Sequence, residues 1–252
     1  MMASNYSAIG IPDDSNESLQ QFIQQVLESG DVDVNDTPEG KYYIWQENSG
    51  GQAWLQVTHD NELLGVAPAF IGQSQLTARI SRFIQSEQDN DLEGAIYAWA
   101  NPQDDSEDSG DYPFLCDVVN AGAVNEANLP ITLTLNVSAF AHELTLFADE
   151  QEFKQAQQQQ DAIFSSQSFI PTGLFNDEQY PDAPPKPLAY FIGHIVDHKL
   201  CRHPLTNNQY YWMLVKTLGG TIDVVSATEL IEEPINNGGI ISGRFWLSTI
   251  IS

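Results

Sequence analysis

An α+β fold, mainly antiparallel β with a few helices and ending in a small β-barrel, is what the sequence predicts. Three observations carry this. One strong helical period stands near the start, most other apolar residues fall in short runs separated by turn residues, and residues 188–252 read as strand after strand.

The helix comes first. Leu19, Phe22, Ile23, Val26 and Leu27 recur at i, i+3, i+4, i+7 and i+8, one face of a helix, and Gly30 is placed to end it. The pattern then changes: Tyr42-Tyr43-Ile44-Trp45 and Ala53-Trp54-Leu55-Gln56-Val57, separated by Asn48-Ser49-Gly50-Gly51, predict a hairpin. Leu76, Ile80, Phe83 and Ile84 are spaced for one face of a second helix between Gln75 and Gln85, with Ser74 as its cap. Residues 94–99 and 112–116 predict strands around Asp104-Asp105-Ser106-Glu107-Asp108, an acidic loop expected to be solvated. Residues 131–137 alternate as a strand, and a second apolar stretch covers 140–147. Asp149 then opens a helix, with Glu152 completing a capping box, that runs into four glutamines at 157–160.

Residues 165–187, with Pro181, Pro184, Pro185 and Pro187, lack periodicity and form the expected connector between an α+β region (1–164) and the barrel (188–252). Phe169, Ile170, Leu174 and Phe175 within it predict packing against a neighbour rather than a free tether. In the last part, residues 188–200 form one long strand with Gly193 where it can bend, and 210–218 and 221–226 form a hairpin around Gly219-Gly220. The final strand has Ile241, Gly243, Phe245, Leu247, Thr249 and Ile251 on one face. Ser242, Arg244, Trp246 and Ser248 share the other, a side expected to be wet. A long bent strand, a hairpin and a late returning strand are the pattern of an OB-like barrel.

Three segments of this half, residues 168–175 (SFIPTGLF), 217–225 (TLGGTIDVV) and 242–248 (SGRFWLS), resemble parts of uncharacterised bacterial proteins. The resemblance covers mostly the C-terminal half and implies no activity.

Composition narrows the function classes. A chain that is 42% hydrophobic and carries five Trp folds despite its charge. The excess of 35 acidic over 9 basic residues gives −26, a field that repels phosphate backbones and anionic headgroups, so neither nucleic acid nor membrane is an expected partner. No apolar run approaches the ~20 residues of a membrane span. The start, Met1-Met2-Ala3-Ser4-Asn5, lacks the form of a secretory signal, so a cytoplasmic protein is expected. Cys116 and Cys201, the only cysteines, make no disulfide framework and suit a reducing compartment.

The densest reactive cluster is His194, Asp197, His198, Cys201 and His203, side chains that bind zinc. On a helix His194, His198 and Cys201 would share a face. On a strand His194 and His198 stand ~13 Å apart, and only Cys201 and His203 remain neighbours. The plainer reading is a polar strand end leading into Pro204 and a turn. Asp89-Asn90-Asp91-Leu92-Glu93-Gly94-Ala95-Ile96 matches the start of a calcium loop, but its twelfth position is Ala100 rather than a bidentate Glu. His142-Glu143 lacks the second His of a metalloprotease helix, and no nucleophile elbow, P-loop or dinucleotide fingerprint is present.

For docking, Tyr210, Tyr211 and Trp212 crowd one strand, and Trp246 with Arg244 stands on the wet face of the last. The expectation is a non-catalytic protein-binding or assembly protein, engaging a protein partner or itself through Trp246, Arg244, Trp212 and Tyr210, with no cofactor unless zinc. The alternatives are a metal-dependent hydrolase using residues 194–203 and an acidic mimic of nucleic acid.

Overall fold

The computed structural model describes residues 4–86, 90–104, 106, 108–158, 163–175 and 184–251. Asp89 of the calcium-loop match, Asp105 and Glu107 of the acidic loop, Gln159, Gln160 and Pro181 lie outside the described residues. Strand accounts for 47% of the protein and helix for 16%, which is the expected class.

After a 3₁₀ turn at Ser7–Ile9, α1 spans Asn16–Ser29. Its N-terminus is capped reciprocally: Ser18 N–H donates to Ser15 Oγ, and Ser15 N–H donates to Ser18 Oγ. Gly30 ends it at φ 69°, a left-handed position natural to glycine. Phe22 and Val26 are buried, whereas Leu27 is 52% exposed, so the apolar face is narrower than its period suggests. β1 (Asp33–Asp36), β2 (Lys41–Gln46), β3 (Gly51–Val57) and β4 (Leu63–Phe70) then form an antiparallel sheet in chain order, with the expected hairpin at its centre.

The expected helix at 75–85 is instead a strand, β5 (Leu76–Ile84). Leu76, Ala78 and Ile80 alternate inward, and a bulge between Ile80 and Arg82 then breaks the alternation. The extra residue shifts the apolar phase and produces the i, i+4, i+7 spacing that imitates a helix. β6 (Ala95–Ala100) and β7 (Tyr112–Val118) follow as expected, then β8 (Ile131–Leu135) and β9 (Val137–Phe147). α2 (Glu150–Gln157) is capped by Asp149, which accepts from Gln151 N and Glu152 N, while Glu152 reaches back to Ala148 N–H. β10 (Ser168–Ile170), β11 (Leu188–Arg202), β12 (Gln209–Thr217), β13 (Gly220–Ala227) and β14 (Ile240–Thr249) complete the chain.

Five strands close into a barrel. β11 pairs with β12, β12 with β13, β9 with β14 and β14 with β11, all antiparallel, and β13 runs parallel to β9 at Asp223–Val225. Residues 188–252 supply only four of these strands. The fifth, β9, comes from before the Pro-rich stretch, so the ring is not confined to the end of the chain. Beyond β14 the sheet continues through β7, β6, β5 and β8. The barrel is filled by side chains: Phe245 stacks on Phe191 with ring centroids 4.0 Å apart, and Met213, Val215, Val224 and Leu247 surround them. Phe169, from the Pro-rich stretch, stacks on Phe191 in turn at 5.9 Å, as its apolar character predicted. Gly193 lies where a Cβ would stand 2.5 Å from Val215 Cγ1, so β11 and β12 cross too closely there for a side chain. The hairpin turn is Leu218-Gly219, one residue earlier than expected, with Gly219 at φ +87°.

The outer side of the barrel is covered too. α1 and the four-stranded sheet press Phe22, Val26, Trp45 and Leu55 against Tyr210, Trp212, Val225 and Phe140. β12 and β13 are therefore buried on both faces, which is why their burial does not alternate. Among the described residues no helix is long and apolar enough to cross a membrane.

Candidate functional site

The 194–203 segment lies on β11, and as a strand it spreads its histidines. His194 Nε2 meets Ser166 Oγ at 3.3 Å, and His198 Nδ1 meets Asn237 Oδ1 at 2.8 Å, out on the rim. Cys201 and His203 turn inward beneath the N-terminal sheet. Among the described residues no group of three or more His, Cys, Asp or Glu could hold a metal ion. Burial, above all, raises the Cys201 thiol pKa, which keeps it protonated rather than nucleophilic. The turn after Asp89 is held internally: Asn90 Oδ1 accepts Leu92 N–H at 2.9 Å and Glu93 Oε2 accepts Asn90 N–H at 3.3 Å, an Asx-type turn rather than an open cation loop.

His203 is 1% exposed, stacked on Trp45 at 4.9 Å and edge-on to Phe22 at 5.4 Å. Its Nδ1 accepts Thr206 N–H and its Nε2 has no partner. Burial pulls its pKa down to about 4, so the imidazole is neutral in the fold. Between pH ~6.5 and about 4 the unfolded chain binds a proton that the folded chain refuses, so stability falls as pH falls through that window. The loss attributable to this residue should reach ~3 kcal/mol at pH 4. Urea denaturation of the parent and His203→Phe across pH 4–7 measures it. The two should converge as pH falls, and parallel curves would show that His203 titrates normally.

Two of the four expected docking residues are core residues. Tyr210 is fully buried and donates its hydroxyl proton to Glu47 Oε1, whose other oxygen accepts Ser49 N–H at 3.1 Å. Burial first, and this carboxylate second, push its phenol pKa far up. Trp212 donates its indole N–H to Asp223 Oδ1 at 2.7 Å. Asp223, fully buried, also accepts Gln73 N–H at 3.0 Å, Ser74 N–H at 2.8 Å and Asn136 Nδ2 at 3.2 Å, and so ties the 72–75 link and the start of β9 to the barrel. Both aromatic residues hold the body together and cannot meet a partner in this conformation.

The last strand is less wet than its pattern suggests, since Ser242 and Ser248 are buried. Arg244 is exposed and faces Glu143, its partner across the β9–β14 ladder, at 3.7 Å. Trp246 is half-buried and sits at a concave site. It lines a cavity of about 450 Å³ with Val66–Pro68 of β4, the ends of β5, β6 and β7, and residues 184–187. Its indole N–H donates to Asp117 Oδ2 at 3.4 Å.

Backbone contacts fix the wall beside it. Leu247 N–H donates to Pro187 O at 2.8 Å, and Lys186 N–H donates to Gly173 O at 3.0 Å. A Cβ on Gly173 would lie 1.8 Å from Lys186 O, so only glycine permits that crossing. Opposite, the Gln85 amide donates to the carbonyls of Asn90 and Glu93 and holds the turn that presents Glu93. The polar groups facing the cavity are Gln56, Gln85, Glu93, Asp117 and Lys186, and among its described lining residues there is no His or Cys to serve a nucleophile. It is equipped to bind rather than to react. Arg244 takes no part in its wall; it flanks a second hollow of about 320 Å³, through Glu143, with Glu229, Glu232 and Glu233 on the rim.

Of the expected docking set, only Trp246 therefore reaches a cavity that a partner could enter. Gln56, Glu93, Asp117 and Lys186 were not expected there, and their sequence context carries no signal for it. Compared with known proteins, the chain matches no family model, no curated protein and no solved structure.

Proposed function

We propose that this is a non-catalytic binding protein that seats a segment of a protein partner in the Trp246 cleft. The observation that carries the reading is a half-buried tryptophan on the wall of a cavity of about 450 Å³ where the N-terminal sheet, the barrel and the Pro-rich wall meet. Binding sites favour concave junctions of this kind, and tryptophan is among the residues that most often dominate interface energy. A heterologous partner is favoured over a second copy because two chains of −26 repel one another. Two unpaired, buried cysteines fit a reducing, cytoplasmic setting.

Trp246→Ala tests this with two readouts, stability in denaturant and partner recovery from extract by the untagged protein. The expected result is a loss below ~2 kcal/mol, since the side chain is only half-buried, together with loss of the partner. Partners retained at parental level would place docking elsewhere.

A further inference from the structure

We infer that the segment seated in the cleft is basic, placing a Lys or Arg side chain beside Trp246 between the carboxylates of Glu93 and Asp117; this rests on the docking reading above. The cleft presents two carboxylates against one ammonium, Lys186. Asp117 lies directly at the indole, 3.4 Å from Nε1, so negative charge and aromatic surface meet at one point. That pairing suits a cationic side chain, which gains from the carboxylate and from the indole face together. It penalises an acidic side chain and leaves the carboxylates of a half-enclosed site without compensation if the occupant is neutral. The field of a −26 chain steers a basic segment toward the protein before contact and repels an acidic one. Of the two cations, Arg has the planar fork that can engage a carboxylate and stack on an indole at once.

Isothermal titration at 0.15 M salt with hexa-arginine, hexa-lysine and hexa-glutamine tests this. The parent should bind both basic peptides at least tenfold more tightly than hexa-glutamine. The variant carrying Glu93→Gln and Asp117→Asn should lose at least tenfold for the basic peptides. A variant carrying Asp31→Asn and Asp33→Asn removes the same two charges at β1, the far edge of the sheet from β4, and should lose less than twofold. Lys186→Ala, which removes the competing ammonium without touching a carboxylate, should bind hexa-arginine more tightly, by about threefold. Equal losses in the two charge variants would mean diffuse attraction to an acidic surface and would overturn the inference. Hexa-glutamine binding as tightly as hexa-arginine, and lost in Trp246→Ala, would leave the docking reading intact and overturn only the cationic chemistry. No binding of the basic peptides up to millimolar concentration also overturns it, while partner recovery with Trp246→Ala still judges the docking reading separately.

Discussion

Asp223→Ala is expected to lower the free energy of unfolding by ~3–5 kcal/mol, the range for removing one partner from a buried charged network. The carboxylate is fully buried and accepts from the backbone of Gln73 and Ser74, the Trp212 indole and the Asn136 amide. Alanine leaves all four donors without an acceptor in a site where a Cβ on neighbouring Gly72 would already touch the carboxylate oxygens. Asp223→Asn keeps one acceptor oxygen and should lose less. Urea denaturation of both variants is the check, and a loss below 1 kcal/mol in the alanine variant would show that water replaces the carboxylate.

Phe22→Ala is the second large effect, at ~3–5 kcal/mol for deletion of a buried aromatic ring. Phe22 is 1% exposed and meets Trp45 edge-on at 6.3 Å and His203 at 5.4 Å, so it pins α1 to both the N-terminal sheet and the rim of the barrel. Leu27→Ala on the same helix is the contrast, expected within ~0.5 kcal/mol because that side chain is half in solvent. Equal midpoints for Phe22→Ala and the parent would mean that α1 is a detached arm.

Those two residues also mark how far the sequence could be read. α1 was legible because a single helix packed on one side keeps a clean 3.6-residue period. β5 was not, because its bulge adds one residue to a two-residue repeat and so mimics that period. The C-terminal strands were recognisable one by one, but their closure was not. β9 joins the ring through a parallel pairing of Val137–Phe147 with a strand some 85 residues later, a contact that no local pattern encodes. Tyr210 and Trp212 look like a docking surface when one face of a strand is assumed to be wet. The N-terminal sheet covers that face, and the aromatic residues become the core between two layers.

The site follows the same logic. Trp246 stood out as a large aromatic residue among polar neighbours, and it does line a cavity. Glu93, Asp117 and Lys186 reach it from three separate segments, β-turn, strand end and Pro-rich wall, and only the tertiary fold brings them together. The histidine cluster failed for a reason present in the residues themselves: Phe191, Ile192, Ile195 and Val196 favour a strand, and a strand holds His194 and His198 too far apart to share a metal.

The central claim, that a partner docks in the Trp246 cleft, is tested most directly by hydroxyl-radical footprinting of the full chain with and without its captured partner. The account predicts protection of Trp246, Val66 and Pro185. Leu200 and Val196, exposed on the opposite run of β11, should react equally in both states. Protection confined to Leu144, Leu146 and Leu230 in the acid-rimmed hollow, with Trp246 oxidised as in the free protein, would contradict it.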